Sequence, residues 1–108
     1  MKSHEVEFTR KATADFDEAL FWYRERSDEA ASKWIAAVER ALDVLEQHPQ
    51  TFPRAREDGM RGTSLHECAI GAGRRLTHRL IFAIRPDKVV VYAIHHVSRK
   101  DLTIDDLV

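Results

Sequence analysis

Ser27 opens a run in which Ala31, Trp34, Ile35, Val38, Ala41, Leu42 and Leu45 recur at intervals of three and four, closed by His48-Pro49. That spacing predicts a helix with one broad apolar stripe. Ser27 is the natural cap at its start, and Pro49 disfavours helical geometry in the residue before it. A first helix over 10–25, capped by Thr9, carries a similar stripe of Ala12, Phe16, Ala19, Leu20 and Tyr23. Two helices joined by so short a link form an antiparallel hairpin whose apolar side must be covered. The only material left to cover it reads as strands: Glu5–Phe8, Leu65–Ile70, and two runs near 75–84 and 89–97. The expected fold is therefore α+β in the order β-α-α-β-β-β, a small antiparallel sheet packed on an α-helical hairpin, as one domain over 1–108.

Residues 49–63, PQTFPRAREDGMRGT, read as a surface connection, and Gly71-Ala72-Gly73 as a turn. The N-terminus lacks the apolar core of a secretion signal and no apolar run reaches membrane-spanning length, so a cytoplasmic chain with no membrane contact is expected. The lone Cys68 cannot form an internal disulfide and is expected as a small buried side chain. The formal net charge is −1, but residues 1–50 hold 7 Lys/Arg against 11 Asp/Glu, whereas residues 54–100 hold 10 against 4. The balance argues against a dedicated nucleic-acid binder, while its distribution sets a basic surface on an acidic scaffold.

The stretch from Arg74 to Leu102 carries the chemistry-bearing side chains. With Pro86-Asp87 at the turn centre, Ile84 pairs with Val89, Phe82 with Val91, Leu80 with Ala93 and His78 with His95. The alternate set contains Arg75, Thr77, Arg79, Tyr92 and His96. The first set is nearly all apolar and suits the helices; the second is expected on an open face. There Arg79 and His96 would be diagonal neighbours. A single β-bulge between the strands would exchange the two histidines. On an open face Arg79 can stabilise charge on a pentavalent phosphate, His96 can transfer a proton, and Glu67 can act as a second proton-transfer group or orient Arg79. Arg74, Arg75, Arg99 and Lys100 can hold flanking RNA phosphates. The plainer alternative is that Arg79 and His96 decorate an exposed sheet. No Cys or His pair has zinc-like spacing, so neither a metal nor another cofactor is expected. Trp22 and Trp34 are read as helix residues that pack or contact a partner.

Taken in order, the opening strand with Ala12-x-x-Asp15-Phe16, the Trp22-Tyr23 pair, Leu45-x-x-x-Pro49, HRLIFAI at 78–84 and His96-x-x-Arg99 resemble the RelE/ParE superfamily, the toxins of type II toxin–antitoxin pairs. The resemblance spans nearly the whole chain and implies a small sheet packed on a helical hairpin. It also implies a cognate antitoxin, with Trp22 and Trp34 as anchors for it. Within the superfamily, RelE- and YoeB-like members cut messenger RNA on the ribosome without a metal. HRLIFAI is similar to the strand that carries their catalytic Arg, at Arg79 here, and His95-His96 falls where they carry a catalytic His. Val97 and Ser98 stand where that branch has a terminal Tyr. ParE-like members instead poison DNA gyrase and need no such set. The leading expectation is an RNA-cleaving toxin using Arg79, His96 and Glu67. The alternatives are a gyrase inhibitor and an inactive relative that serves only as a complex partner.

Overall fold

The computed structural model describes residues 4–60 and 62–107. Strand β1 (Glu5–Phe8) leads into helices α1 (Arg10–Arg26) and α2 (Asp28–Gln47), followed by strands β2 (His66–Ile70), β3 (His78–Ile84) and β4 (Lys88–His96). The class and element order are those expected. The sheet order is β1-β4-β3-β2. The expectation of a purely antiparallel sheet holds for β2, β3 and β4; β1 instead lies parallel to β4, Val6 beside Val89 and Phe8 beside Val91. A parallel neighbour requires a crossover, and the helical hairpin between β1 and the rest of the sheet is that crossover.

Both helix starts are built by side chains. Thr9 Oγ1 accepts from the Ala12 N–H at 3.1 Å, and Ser27 Oγ from the Ala30 N–H at 2.9 Å. Ser27 also ends α1, its own N–H donating to Tyr23 O at 3.2 Å, so one residue is the whole joint between the helices. The helix stripes meet the sheet through Ala12, Ala19, Tyr23, Trp34, Val38 and Leu45 on one side and Leu80, Phe82, Val89, Val91 and Ile94 on the other. Cys68 joins this core, and burial pushes its thiol up to about 11, which keeps it protonated and unreactive.

The other sheet face is not open. Ala55, Leu65, Leu102 and Leu107 pack there on Ile81, Ala83, Val90, Tyr92 and Ala93, making a second core. The connection before β2 lies largely at the surface, as expected, but Ala55, Glu57 and Met60 turn inward onto this face, and the residues after β4 complete the cover. That is why β3 is buried along nearly its whole length and why its sequence does not alternate.

The strand register departs from the simple hairpin. From the turn outward Ile84 pairs with Val89, Ala83 with Val90 and Phe82 with Val91, but Ile81 then pairs with Ala93. Tyr92 is the extra residue of a β-bulge, and Tyr92 and Ala93 both face the second core. Beyond it His95 lies opposite Arg79, and His96 opposite His78. Helix α1 holds the bulge. Thr9 N–H donates to Val91 O at 3.0 Å, Thr9 Oγ1 donates to Tyr92 O at 3.1 Å, and Asp15 Oδ2 accepts from the Ile94 N–H at 3.0 Å. These groups replace β1, which ends beside Val91, as hydrogen-bond partners for the continuing strand.

Trp34 is 0% exposed and packs between Phe16, Tyr23 and His78, stacked on the first two and tilted against the third, with ring centroids 6.1, 5.3 and 4.8 Å away. Its expected role as an antitoxin anchor is corrected: it is the centre of the helix-side core. Replacing Trp34 with Ala should cost about 3–5 kcal/mol in urea unfolding, as for other fully buried aromatics; a loss below about 1 kcal/mol would contradict this packing.

Candidate functional site

Arg79 lies on the covered face of β3, 7% exposed. Its Nη1 and Nη2 donate to the two carboxylate oxygens of Glu57 at 3.0 and 2.8 Å, and Nη1 also donates to Glu67 Oε1 at 3.0 Å. Glu57, from the connection before β2, is 1% exposed. Burial alone pushes the Glu57 carboxyl up. The hydrogen bonds from Arg79 and from its own backbone, with the positive charges of Arg79 and Arg56, outweigh that and hold it below the ordinary carboxylate range. The same hydrogen bonding raises Arg79 further above its usual value. The guanidinium is thus paired with two carboxylates. Glu67, on β2 diagonal to Arg79, accepts this hydrogen bond on the same sheet face.

The expected pairing of Arg79 with His96 on one face is not found, because the bulge exchanges the histidines. His95, expected with the apolar set on the helix side, lies on Arg79's face, where its Nε2–H donates to Lys100 O at 2.6 Å and ties down the turn after β4. His96 lies on the helix side in a cleft of about 210 Å3, lined by Asp15, Glu18, Trp22, His78, Ser98 and Arg99 among others. The Ser98 N–H can only donate, and it meets His96 Nδ1 at 3.1 Å, with Ser98 Oγ 2.7 Å from the same nitrogen. The neutral His96 ring therefore carries its proton on Nε2. Arg99, at the cleft mouth, is ion-paired with Glu18.

His78 sits behind His96, ring centroids 4.9 Å apart. A short polar chain runs inward from it: His78 Nδ1 is 2.8 Å from Thr77 Oγ1, which is 2.7 Å from Tyr23 Oη. Burial first, then the charges of His96, Arg99 and His95, push His78 down to about 4, against a smaller opposing effect of Glu18. The ring is neutral at physiological pH and serves as a hydrogen-bonding member of the core.

The four cations expected to hold RNA phosphates do not form one patch. Arg74 and Arg75 are exposed on the β2–β3 loop and line a groove with Trp22, Arg26 and Lys33. Arg99 and Lys100 are exposed in the turn after β4. Trp22 is 38% exposed and lines both the cleft and the groove, so it stands between them. Phe21 beside it is 64% exposed, a large apolar surface the sequence reading passed over. The signal was its place outside the stripe of Phe16, Ala19 and Tyr23. Glu57 was also missed, and an acidic residue in an irregular connection carries no periodic signal that could have found it. Among the described residues no group of three or more His, Cys, Asp or Glu side chains is placed to hold a metal, and no helix is long and apolar enough to cross a membrane.

The chain matches the family model described as ParE toxin of type II toxin–antitoxin system, parDE, over residues 6–101. A solved structure titled as a chromosomal ParDE TA system from P. aeruginosa superposes with a TM-score of 0.68, covering 88% of this chain and 97% of that one at 20% identity, a likeness of fold. Curated protein sequences yield no match.

Two stability measurements test this geometry. Glu57→Ala, which leaves Arg79 buried without its bidentate partner, should cost about 3–5 kcal/mol, and Glu57→Leu combined with Arg79→Met should recover most of that loss. If the single and double variants unfold alike, the pair does not organise this face. His78 is depressed in the folded state, so the unfolded chain binds more protons between pH 6.5 and about 4. Stability should be full above pH 6.5 and fall by roughly 3 kcal/mol as pH drops to about 4. His78→Gln should flatten that part of a urea-unfolding pH profile; an unchanged slope would reject the assignment.

Proposed function

The chain belongs to the ParE toxin family of type II toxin–antitoxin systems, and from that premise we propose that it acts by binding and poisoning DNA gyrase rather than by cutting RNA. The observation that supports this reading is the state of Arg79. Metal-free phosphodiester cleavage needs a cation free to meet the charge developing on phosphorus, with a proton-transfer group on the same side. Arg79 is buried against Glu57 and Glu67, and His96 lies on the opposite side of the sheet. Exposing the guanidinium would mean breaking a buried bidentate pair and leaving Glu57 buried without its partner. On this reading Arg74, Arg75, Arg99 and Lys100 are contact residues for a macromolecular partner, and Trp22 and Phe21 supply apolar anchoring. A gyrase target also implies a cytoplasmic protein.

A toxin of this kind has a protein antitoxin as its partner. We place its docking segment along the largely apolar groove of about 240 Å3 formed by Phe8, Phe16, Ile35, Val38 and Leu42 with Thr13 and Glu39, where an amphipathic segment can bury side chains at helical spacing. The second functional reading is RNA cleavage from the histidine cleft. In its favour, His96 and Arg99 line the same cleft.

The two readings separate when the chain is expressed without its antitoxin and both gyrase–DNA adducts and mRNA 5′ ends are mapped. Gyrase adducts should accumulate while mRNA ends stay unchanged, and the Glu57→Leu/Arg79→Met variant should remain toxic. Discrete new mRNA ends without adducts, or loss of toxicity in a double variant that still folds, would overturn the gyrase reading.

A further inference from the structure

We propose that the groove between the α1–α2 joint and the β2–β3 loop is a binding site for the phosphate backbone of a nucleic acid. This goes beyond the gyrase reading and stands independently of it. Arg26, Lys33 and Arg40 recur every seven residues across the Ser27 joint. Lys33 and Arg40 therefore share a face of α2, about 10.5 Å apart along its axis. The β2–β3 loop turns back toward them because Thr77 N–H closes onto Ile70 O at 3.0 Å and Gly71 admits the Arg75 carbonyl into space a Cβ would occupy. The turn carries Arg74 and Arg75 to the opposite bank. Two adjoining depressions share Lys33, Ala72, Gly73 and Arg74 and so run together as one groove.

Arg26, Lys33, Arg40, Arg74 and Arg75 thus line a groove into which a single carboxylate projects, Glu29, itself 3.3 Å from Lys33. In a chain of net charge −1 this is a local concentration of positive charge, gathered from both the acidic and the basic half of the sequence. The chemistry favours a polyanion over an acidic peptide. Away from Trp22 and Tyr23 at one end, the groove floor is Ala30, Ala36, Ala72 and Gly73, which gives a peptide side chain no pocket to fill. Exposed charge pairs alone contribute little to protein–protein affinity. A nucleic acid gains instead from release of its condensed counterions and needs no apolar anchor. At the Trp22 end, the Arg26 guanidinium lies 3.4 Å over the indole ring, and such stacked cation–aromatic surfaces accept a base or sugar edge.

The test is fluorescence anisotropy of the full-length chain with a short labelled DNA duplex, its separated strand and the matching RNA, over a salt series. Binding should weaken linearly in log–log form, with a slope of about −4 for duplex and about −3 for single strands if four or five phosphates are engaged. Arg74→Glu and Lys33→Glu should each weaken binding by about tenfold and reduce the slope by about one. Arg56→Glu changes net charge equally on the far side of the sheet and should leave binding unchanged. A duplex preference identifies DNA as the source of the phosphates and a single-strand RNA preference identifies RNA; either supports the site. Equal loss in Arg56→Glu, no binding at low salt, or tighter binding of a poly-glutamate peptide than of any nucleic acid would overturn it. The readout uses free nucleic acid, so failure of the gyrase reading would leave this result intact.

Discussion

Glu57 and Arg79 meet as a bidentate pair across 22 positions of sequence, and the far side of the sheet is organised around that contact. The connection that supplies Glu57 has almost no regular structure, and its apolar contacts, Ala55 and Leu65 with Leu102 and Leu107 alongside, are non-directional. A buried ion pair adds little net stability over an apolar pair of the same volume. What it supplies is direction, because two fixed N–H···O bonds accept one placement of the connection on the strand. Tyr92 works the same way nearby: its hydroxyl accepts from Arg85 Nη2 at 2.9 Å while Arg85 Nη1 reaches Thr63 Oγ1 at 3.3 Å. A side of the sheet that would otherwise be an exposed, aggregation-prone surface becomes a second interior.

The bulge at Tyr92 decides what each histidine can do. It lets β4 present Val91 to one core and both Tyr92 and Ala93 to the other, and from there on the strand's faces are exchanged. His95 becomes a clasp for the chain that follows β4. His96 becomes part of a cleft with Arg99, Glu18 and Trp22. The cause lies partly in α1: Thr9 and Asp15 satisfy strand groups at Val91, Tyr92 and Ile94 that β1 is too short to reach. A helix cap and a helix carboxylate therefore fix the identity of a residue in a cleft on the adjoining strand.

Much of this was legible from the residues, and what was not has a specific cause. Both helices follow from stripe spacing, and their ends from Thr9, Ser27 and Pro49, because caps and proline act locally. The Arg85–Lys88 turn was likewise readable, the Arg85 N–H donating to Lys88 O at 2.7 Å. The bulge could be allowed for but not placed, because Val89 through Ile94 is apolar on both faces, so slipping by one residue breaks no pattern. That same run held an unused signal. A strand that does not alternate has both faces covered, which argues against an open face for Arg79. Burial of Arg79 then requires a buried partner, but nothing local distinguishes Glu57 from the other acids of the chain. The parallel placement of β1 was also beyond reach, since strand direction is a property of the crossover and not of four residues.

The Ser27 joint has a consequence for how such a chain can change over evolutionary time. The two helices are separated by one residue that ends the first and caps the second. There is no slack in which an insertion could be absorbed. Adding or deleting one residue there would rotate α2 by roughly 100° relative to α1 and swing Trp34 and Leu45 off the sheet. Divergence can therefore proceed by substitution along both helices, while their spacing is held to the length of a single amino acid. By contrast, the irregular connection before β2 can vary in length wherever Glu57 still reaches Arg79.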